Sequence, residues 1–368
     1  MDKLKAFLKR KNIVFSAKRY FIDAMGAMAQ GLFCTLLVGT ILNTLGSQFH
    51  IGFLQAVIVT LGKGEGAATY TIGGLCSAMV GPGMAAAIGN ALQCPPLVLF
   101  SLIPVGFTTN AMGGAGGPLA VFFVAVLASE IGKAVSKETK LDILVTPIVT
   151  ILAGVGLAAV FAAPVGAAAT AFGKAIMWAT ELRPFFMGIV VSVVVGIVLT
   201  LPISSAAICA ALGLVGLAGG AAVAGCCAQM VGFAVMSFPE NRWGGLAAQG
   251  LGTSMLQMGN IVRNPRIWIP PTLAAAVTGP LATCVFKLQM NGAAVSSGMG
   301  TCGLVGQIGV YSGWVNDIAN GAKAAITSMD WIGLILISFV LPAVLTWLFA
   351  LPLRKNGWIK PGDLKLDL

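Results

Sequence analysis

Two short stretches carry the residue types that could do chemistry in this chain. Phe107-Thr108-Thr109-Asn110-Ala111-Met112-Gly113-Gly114 and Phe238-Pro239-Glu240-Asn241-Arg242-Trp243-Gly244-Gly245 both read F-x-x-N-x-x-G-G. Each sets one amide side chain and a glycine pair inside very apolar sequence. Asparagine both donates and accepts hydrogen bonds, so Asn110 and Asn241 are candidate contacts for a polar solute. The second copy adds Glu240 and Arg242, and ionisable residues at membrane depth are functional candidates because they are costly to keep there. Glu240 suits a hydroxyl, an amine or a proton, and Arg242 suits an anion. The plainer alternatives are a mutual ion pair and ordinary capping turns. Gln249, Thr253 and Gln257 follow at four-residue spacing, which predicts one polar helical face, and Asn260 lies just beyond them. That face suits hydroxyl-rich or zwitterionic solutes; polar contact between helices is the alternative. Asn291 to Gln307, with Ser296, Ser297 and Thr301, is too polar to face lipid and predicts a re-entrant hairpin, matched in the first half by Gly166 to Gly173.

The elements that must position these residues are membrane helices. Of 368 residues, 57% are hydrophobic and 9% charged, against about 25% charged in a soluble domain. Apolar runs reach the roughly 20 residues that a membrane-spanning helix needs. Alternating segments of about 10 residues, the mark of a β-barrel, are missing. The 48 glycines suit close helix packing. The net charge of +10 is concentrated at the ends, from Lys3 to Arg19 and from Arg354 to Lys365. By the positive-inside rule both termini are expected in the cytoplasm. The basic segments lack the interleaved aromatics of a nucleic-acid surface, so no nucleic-acid partner is expected. Leu4, Phe7 and Leu8 among lysines predict an amphipathic helix on the anionic leaflet, so membrane lipid is an expected partner.

The flanks of the two stretches match in unchanged order. Leu75-Cys76 pairs with Ile208-Cys209, Ile131-Gly132 with Met258-Gly259, Pro147 with Pro271, and Gly166-Ala167-Ala168 with Gly292-Ala293-Ala294; the halves end at Leu201-Pro202 and Leu351-Pro352. The second half ends beside Arg354, the first at Ile203-Ser204-Ser205 with no basic residue, and Lys63 and Glu65 precede the first. This predicts repeats of opposite orientation, an architecture common among alternating-access transporters. The expected fold is an all-α polytopic membrane protein of about 10 transmembrane helices in two inverted repeats with broken or re-entrant helices. The divisions are 1–19, a basic amphipathic segment; 20–62, a first span and connector; 63–205, repeat one; 206–353, repeat two; and 354–368, a cytoplasmic tail. Ile51 to Leu61 is too short to cross and is expected to join the next helix or to re-enter.

Enzymatic motifs are missing: no Walker A, H-E-x-x-H or G-x-S-x-G occurs, and His50 is the only histidine. The eight cysteines form no C-x-x-C pair and read as small buried hydrophobes rather than metal ligands. Neither enzyme activity, metal nor cofactor is expected.

Phe238 to Gly245, Gly250-Leu251-Gly252-Thr253-Ser254-Met255-Leu256-Gln257 and Asn264-Pro265-Arg266-Ile267-Trp268-Ile269-Pro270-Pro271 resemble the PfoR-type membrane proteins, which are enzyme IIC-like permeases of the phosphotransferase system. The resemblance covers about residues 15–355. It implies a bacterial inner-membrane homodimer with re-entrant hairpins and elevator-like transport of a small solute. Sugar-specific enzyme IIC proteins place a histidine and a glutamate around the sugar. Here no histidine falls in the corresponding polar half, and only about fifteen residues follow the last span. A stand-alone carrier without IIA or IIB domains is the expectation, which argues against phosphorylation coupling and a carbohydrate. The candidate solute contacts are Asn110, Glu240, Asn241, Arg242, Gln249, Thr253, Gln257 and Ser296. A solute-binding sensor that does not transport is the second reading.

Overall fold

The structure, a computed structural model, describes residues 2–62 and 67–366. Lys63 and Glu65, and the side chains of Lys3 and Leu4, lie outside the described residues. The fold is all-α apart from one two-stranded sheet. Among the described residues six helices are long and apolar enough to cross a membrane: Arg19–Ser47, Pro96–Val135, Asp142–Thr180, Gly216–Met236, Pro265–Val285 and Ser328–Lys355. A seventh arises if the bent pair Ile72–Ala78 and Val80–Ala91, meeting at 53°, is one broken span. Pro184–Thr200 is a shorter apolar helix of 17 residues. The chain is thus a multi-pass membrane protein.

Packing divides it into two compact units, Met1–Gly39 with Gly73–Ala168 and Thr40–Ile72 with Ala169–Leu368. These boundaries differ from those of the matched halves 63–205 and 206–353. A division by contacts does not bear on a repeat in sequence.

In the first unit α1 (Asp2–Arg10) precedes the first span, as the basic amphipathic segment predicts. The bent pair supplies α2 (Ile72–Ala78) and α3 (Val80–Ala91), and α3 packs with α4 (Pro96–Gly113) and α5 (Gly117–Val135). Two glycines let α3 and α4 approach at backbone distance: a Cβ on Gly81 would lie 2.1 Å from the Gly106 carbonyl oxygen. Lipid gives helices no hydrophobic reason to associate, so such close packing supplies the attraction instead.

In the second unit α6 (Pro184–Thr200) packs on α7 (Gly216–Met236), and both pack on α10 (Ile269–Pro280). Helix α7 is the centre: nearly every residue from Gly219 to Met236 is buried. Gly225 makes this possible, because a Cβ there would sit 1.8 Å from the Ser192 carbonyl oxygen. Val223, Cys227, Leu288, Met290, Trp314 and Ile337 form the adjoining apolar core.

Two local expectations are corrected. Ile51 to Leu61 neither joins a helix nor re-enters as one. It forms a single helical turn, Gly52–Gln55, and then β1 (Val59–Leu61), which pairs antiparallel with β2 (Ala68–Tyr70). The β-branched run Val57-Ile58-Val59-Thr60 favours extended chain over helix. Gly166 to Gly173 is not a hairpin either, for it lies inside the continuous helix Asp142–Thr180. Half of that stretch is alanine, the strongest helix former, and it holds no polar run that demands water. Four of the eight cysteines, Cys209, Cys226, Cys227 and Cys302, are buried, while Cys34 and Cys284 are exposed.

Candidate functional site

Both F-x-x-N-x-x-G-G stretches break a helix, but at different residues. In the first unit α4 runs through Asn110 and ends at Gly113; Gly114 then takes φ 53°, ψ −126° before a tight turn leads into α5. Asn110 packs against the start of the next helix, since a Cβ on Gly117 would meet its Oδ1 at 2.5 Å. In the second unit the break falls inside α8 (Phe238–Ala247), where Arg242 has φ 51°, ψ −150°. That region of the backbone map is essentially reserved for glycine and costs a side chain about 1–3 kcal/mol. The same kind of bend is thus made by glycine in one copy and by arginine in the other.

Beyond the break the two copies diverge further. After Gly114–Gly116 the first copy continues as the regular, apolar α5. After Ala247 the second copy unwinds. Ala248–Gly252 forms a wide helical turn, Thr253 is extended, Ser254–Gln257 is a tight turn, and only then does α9 (Met258–Arg263) begin. Gly250 and Gly252 weaken the helix, and Thr253 caps the next turn by accepting from Met255 N at 3.1 Å. Gln249, Thr253 and Gln257 therefore do not share one helical face, and that expectation is corrected. Gln249 and Gln257 meet all the same. Gln257 Nε2 donates to Gln249 Oε1 at 2.8 Å, and Gln249 Nε2 donates to Ser237 Oγ at 2.8 Å and to the Gly245 carbonyl at 2.9 Å. Asn260 Nδ2 extends the chain to Gln257 Oε1 at 2.8 Å. All three amides are buried, where leaving them unpaired would cost more than each bond returns.

The free face of this amide chain holds the C-terminal tail. Asn241 Nδ2 donates to the Leu364 carbonyl at 2.7 Å, and Leu366 N donates to Asn241 Oδ1 at 2.8 Å. Gln257 Nε2 reaches the same Leu364 carbonyl at 3.0 Å, and Asn260 Nδ2 reaches the Lys365 carbonyl at 2.9 Å. Asn264 Nδ2 donates to the Trp358 carbonyl and to Asp363 Oδ2, both at 2.8 Å, while the Arg266 guanidinium stacks 5.0 Å above the Trp358 ring. Ile359 and Leu364 are buried beneath the strap. The tail supplies backbone carbonyls where a solute was expected to supply polar groups.

Glu240 and Arg242 do not pair. Glu240 Oε1 stands 3.7 Å from Arg354, whose guanidinium also donates to the Met236 carbonyl at 2.7 Å. Glu240 Oε2 is buried without a hydrogen-bond partner. Arg242 is exposed, and the bend at its own backbone separates it from its neighbour.

Ser296 lies elsewhere in the second unit. In the segment expected to be a re-entrant hairpin, Asn291 to Leu304 is irregular and Val305 to Gln307 open a helix: tight turns at Ala294–Gly298 and Cys302–Leu304 flank Gly300, and Ser296, Ser297 and Thr301 are buried. This segment touches the unwound stretch, because Thr301 Oγ1 donates to the Gly250 carbonyl at 2.5 Å. Ser296 and Gly309 border a cavity of about 540 Å³. Its other polar walls are Thr40, Asn43, Thr44, Ser47, Gln55, Thr71 and Ser312, with Leu54, Ala293, Val295 and Ile308 between them. Among the described residues no charged side chain lines it. Thr71 Oγ1 donates to Asn43 Oδ1 at 2.9 Å, and Gln55 Nε2 donates to the Gly46 carbonyl at 2.7 Å, so the walls are held in place. Apolar walls with a few fixed polar groups are the usual make-up of a small-molecule site of about 300–1,000 Å³. Most of these residues were missed in the sequence. Thr40, Asn43, Thr44 and Ser47 stand at i, i+3, i+4 and i+7, a polar helical stripe that could have found them. The spacing is that of a helix face, here at the end of the first span.

No curated protein and no solved structure matches the chain. A family model does: that of the phosphotransferase system, EIIC, matches residues 22–366. The match runs through the docked tail, past residue 355 where the resemblance was expected to end. It covers nearly the whole sequence, and the protein belongs to the phosphotransferase-system EIIC family.

Proposed function

We propose that the protein is a membrane carrier for a small, uncharged, polar organic solute, working by alternating access. The observation that carries this reading is the 540 Å³ cavity walled by hydroxyls and amides, with no charged side chain among the described residues, in a chain of the EIIC family. Hydroxyls and amides match solute hydroxyls in both donor and acceptor roles, while a charged solute would find no counter-charge there. Ser296 contacts the solute, together with Asn43 and Gln55. Asn110, Asn241, Gln249, Thr253 and Gln257 act at the broken helices that move, and Glu240 and Arg242 set the charge of the path. About ten crossings in two inverted repeats, an elevator-like motion, cytoplasmic termini and a homodimer complete the proposal. Supporting it are the matched landmarks, the breaks in both copies and the basic ends. Catalysis by this chain itself is not part of the reading.

The test is a thermal-shift screen of polyols, sugars, amino acids, carboxylates and nucleosides, followed by uptake of the best binder into proteoliposomes. Ser296→Val and Asn43→Ala should weaken binding and uptake at least tenfold while the unliganded protein stays folded. Binding only of charged solutes, or unaltered uptake in both variants, refutes the assignment. Saturable binding without flux favours the sensor reading instead.

A further inference from the structure

A second polar cavity lies in the first unit and is built from other residues. It has a volume of about 320 Å³ and is lined by Arg10, Lys11, Lys133 and Lys137, by the amides of Asn12 and Gln93, and by Glu138. Lys133 forms its floor. It is 1% exposed, paired with Glu130 at 2.8 Å, and donates to the carbonyls of Asn12 and Leu92 at 3.1 and 3.3 Å. Lys11 is nearly buried, donates to the Ser136 carbonyl and pairs with Glu138. Arg10 pairs with the same carboxylate at 2.7 Å. Arg19 joins them through Asn12 Oδ1 and the Leu92 carbonyl, and Asp142 Oδ1 accepts from Lys137 N at 2.6 Å. Five cations thus face three carboxylates, Glu130, Glu138 and Asp142, and the surplus is positive. Glu138 is the weak point of this neutralisation, because one exposed carboxylate serves two cations and Lys137 forms no ion pair among the described residues.

Val14 and Phe15 follow Asn12 closely, and Leu141, Ile143 and Leu144 follow the turn that carries Lys137 and Glu138; all five are exposed. A positive pocket whose lining residues are followed within a few positions by exposed hydrophobic side chains matches a molecule with an anionic head and an apolar body. Basic pockets at the ends of membrane helices are known to take lipid head groups. We infer that the cavity formed by Arg10, Lys11, Lys133 and Lys137 binds a phosphate group, and that a glycerophospholipid supplies it. The inference stands apart from the transport reading, since it concerns other residues in the other unit.

The experiment uses the purified full chain in neutral detergent and reads thermal shift against three probes: dihexanoyl phosphatidylglycerol, dihexanoyl phosphatidylcholine and inorganic phosphate. Saturable stabilisation by phosphatidylglycerol, with at least tenfold weaker effect from the other two, is the expected result. Lys137→Gln should weaken it several-fold. Glu138→Gln should tighten it, because the internal anion that competes for Arg10 and Lys11 is gone. Glu138→Gln without ligand is less stable on either account, so the lipid response decides: a cluster that served only to hold the N-terminal segment would show no gain in it. Equal affinity for inorganic phosphate would keep the phosphate site and assign it to a free ion, overturning the lipid as its source. No saturable response to either anion, or a response unchanged by both substitutions, overturns the inference.

Discussion

Asn241 is tied to the tail through both ends of its amide, and this yields a sharp test. The amide donates to the Leu364 carbonyl and accepts from Leu366 N, at 2.7 and 2.8 Å. Each such bond is worth about 0.5–1.5 kcal/mol net, so Asn241→Ala should cost about 1–3 kcal/mol. The lower end is favoured because the tail is near the surface and water can replace part of what is lost. In a chain that stops at Gly357 both partners are gone, and the same substitution should cost less than about 0.5 kcal/mol. The coupling, about 1–3 kcal/mol, is read by equilibrium unfolding in mixed micelles for the four members of the cycle. Truncation alone removes the burial of Ile359 and Leu364, about 1.5–3 kcal/mol each. Should the shortened chain not fold, Asn264→Ala replaces it, since Asn264 ties the other end of the tail at Trp358 and Asp363. A tail that docks as one piece makes Asn241→Ala and Asn264→Ala non-additive. Equal cost of Asn241→Ala in every background would refute the reasoning and return Asn241 to a role independent of the tail.

Single contacts give further expectations. Gly225→Val drives a side chain into the Ser192 carbonyl across the α6–α7 contact and should cost about 3 kcal/mol or more, at the top of the usual range for overpacking, seen as loss of folded protein on size exclusion. Arg242→Gly relieves a backbone strain of about 1–3 kcal/mol but frees the unfolded chain by about 0.5–1 kcal/mol, so stability should be unchanged or rise by up to about 2 kcal/mol in the same unfolding assay; a clear loss would mean that the arginine side chain carries weight. The hydrogen bond from Lys11, with the charge of Arg10 beside it, holds the Glu138 carboxyl below the ordinary carboxylate range. A lowered carboxyl contributes stability that is present above its unfolded value and is lost as the pH falls through the folded one. The wild-type advantage over Glu138→Gln in melting temperature should therefore persist at neutral pH and vanish only below the ordinary range, about pH 4.

How much could be read in advance depended on the kind of signal. The first span, expected to open the segment 20–62, is found at Arg19–Ser47, because a long apolar run has one stable conformation in lipid. The breaks at Gly114 and Arg242 were legible as places where glycine and asparagine interrupt such runs. Which residue would take the bend was not, since φ is set by how the flanking helices pack. The spacing of Gln249, Thr253 and Gln257 misled for a related reason: a four-residue period means a shared face only where the helix is intact, and Gly250 and Gly252 undo it. The tail was invisible. Its contacts go through backbone carbonyls of Trp358, Leu364 and Lys365, which leave no trace in side-chain pattern.

The unequal fate of the two copies has one physical origin. The first copy continues into Gly117–Val135, where Phe122, Val124, Ala125 and Ala128 are buried among apolar neighbours and the backbone can satisfy itself only as helix. The second continues into sequence that carries a hydroxyl or an amide at Gln249, Thr253, Ser254, Gln257 and Asn260. Side chains take over part of the lost backbone bonding: Gln249 donates to the Gly245 carbonyl, Thr253 accepts from Met255 N, and Thr301 covers the Gly250 carbonyl, while Ser254 pairs with the Thr200 hydroxyl at 2.8 Å and the amides bond to one another and to the tail. An unwound stretch inside a membrane domain is tolerated only with such partners or beside water. The segment that rests on it from the other side, Asn291 to Gln307, also forms a wall of the neutral cavity through Ser296. A change in the unwound stretch is thus one hydrogen bond, Thr301 to Gly250, away from the loop that carries Ser296. Thr301→Val removes that bond without changing the cavity lining. On the proposed function it should alter the rate of solute uptake more than the affinity, whereas Ser296→Val should do the reverse.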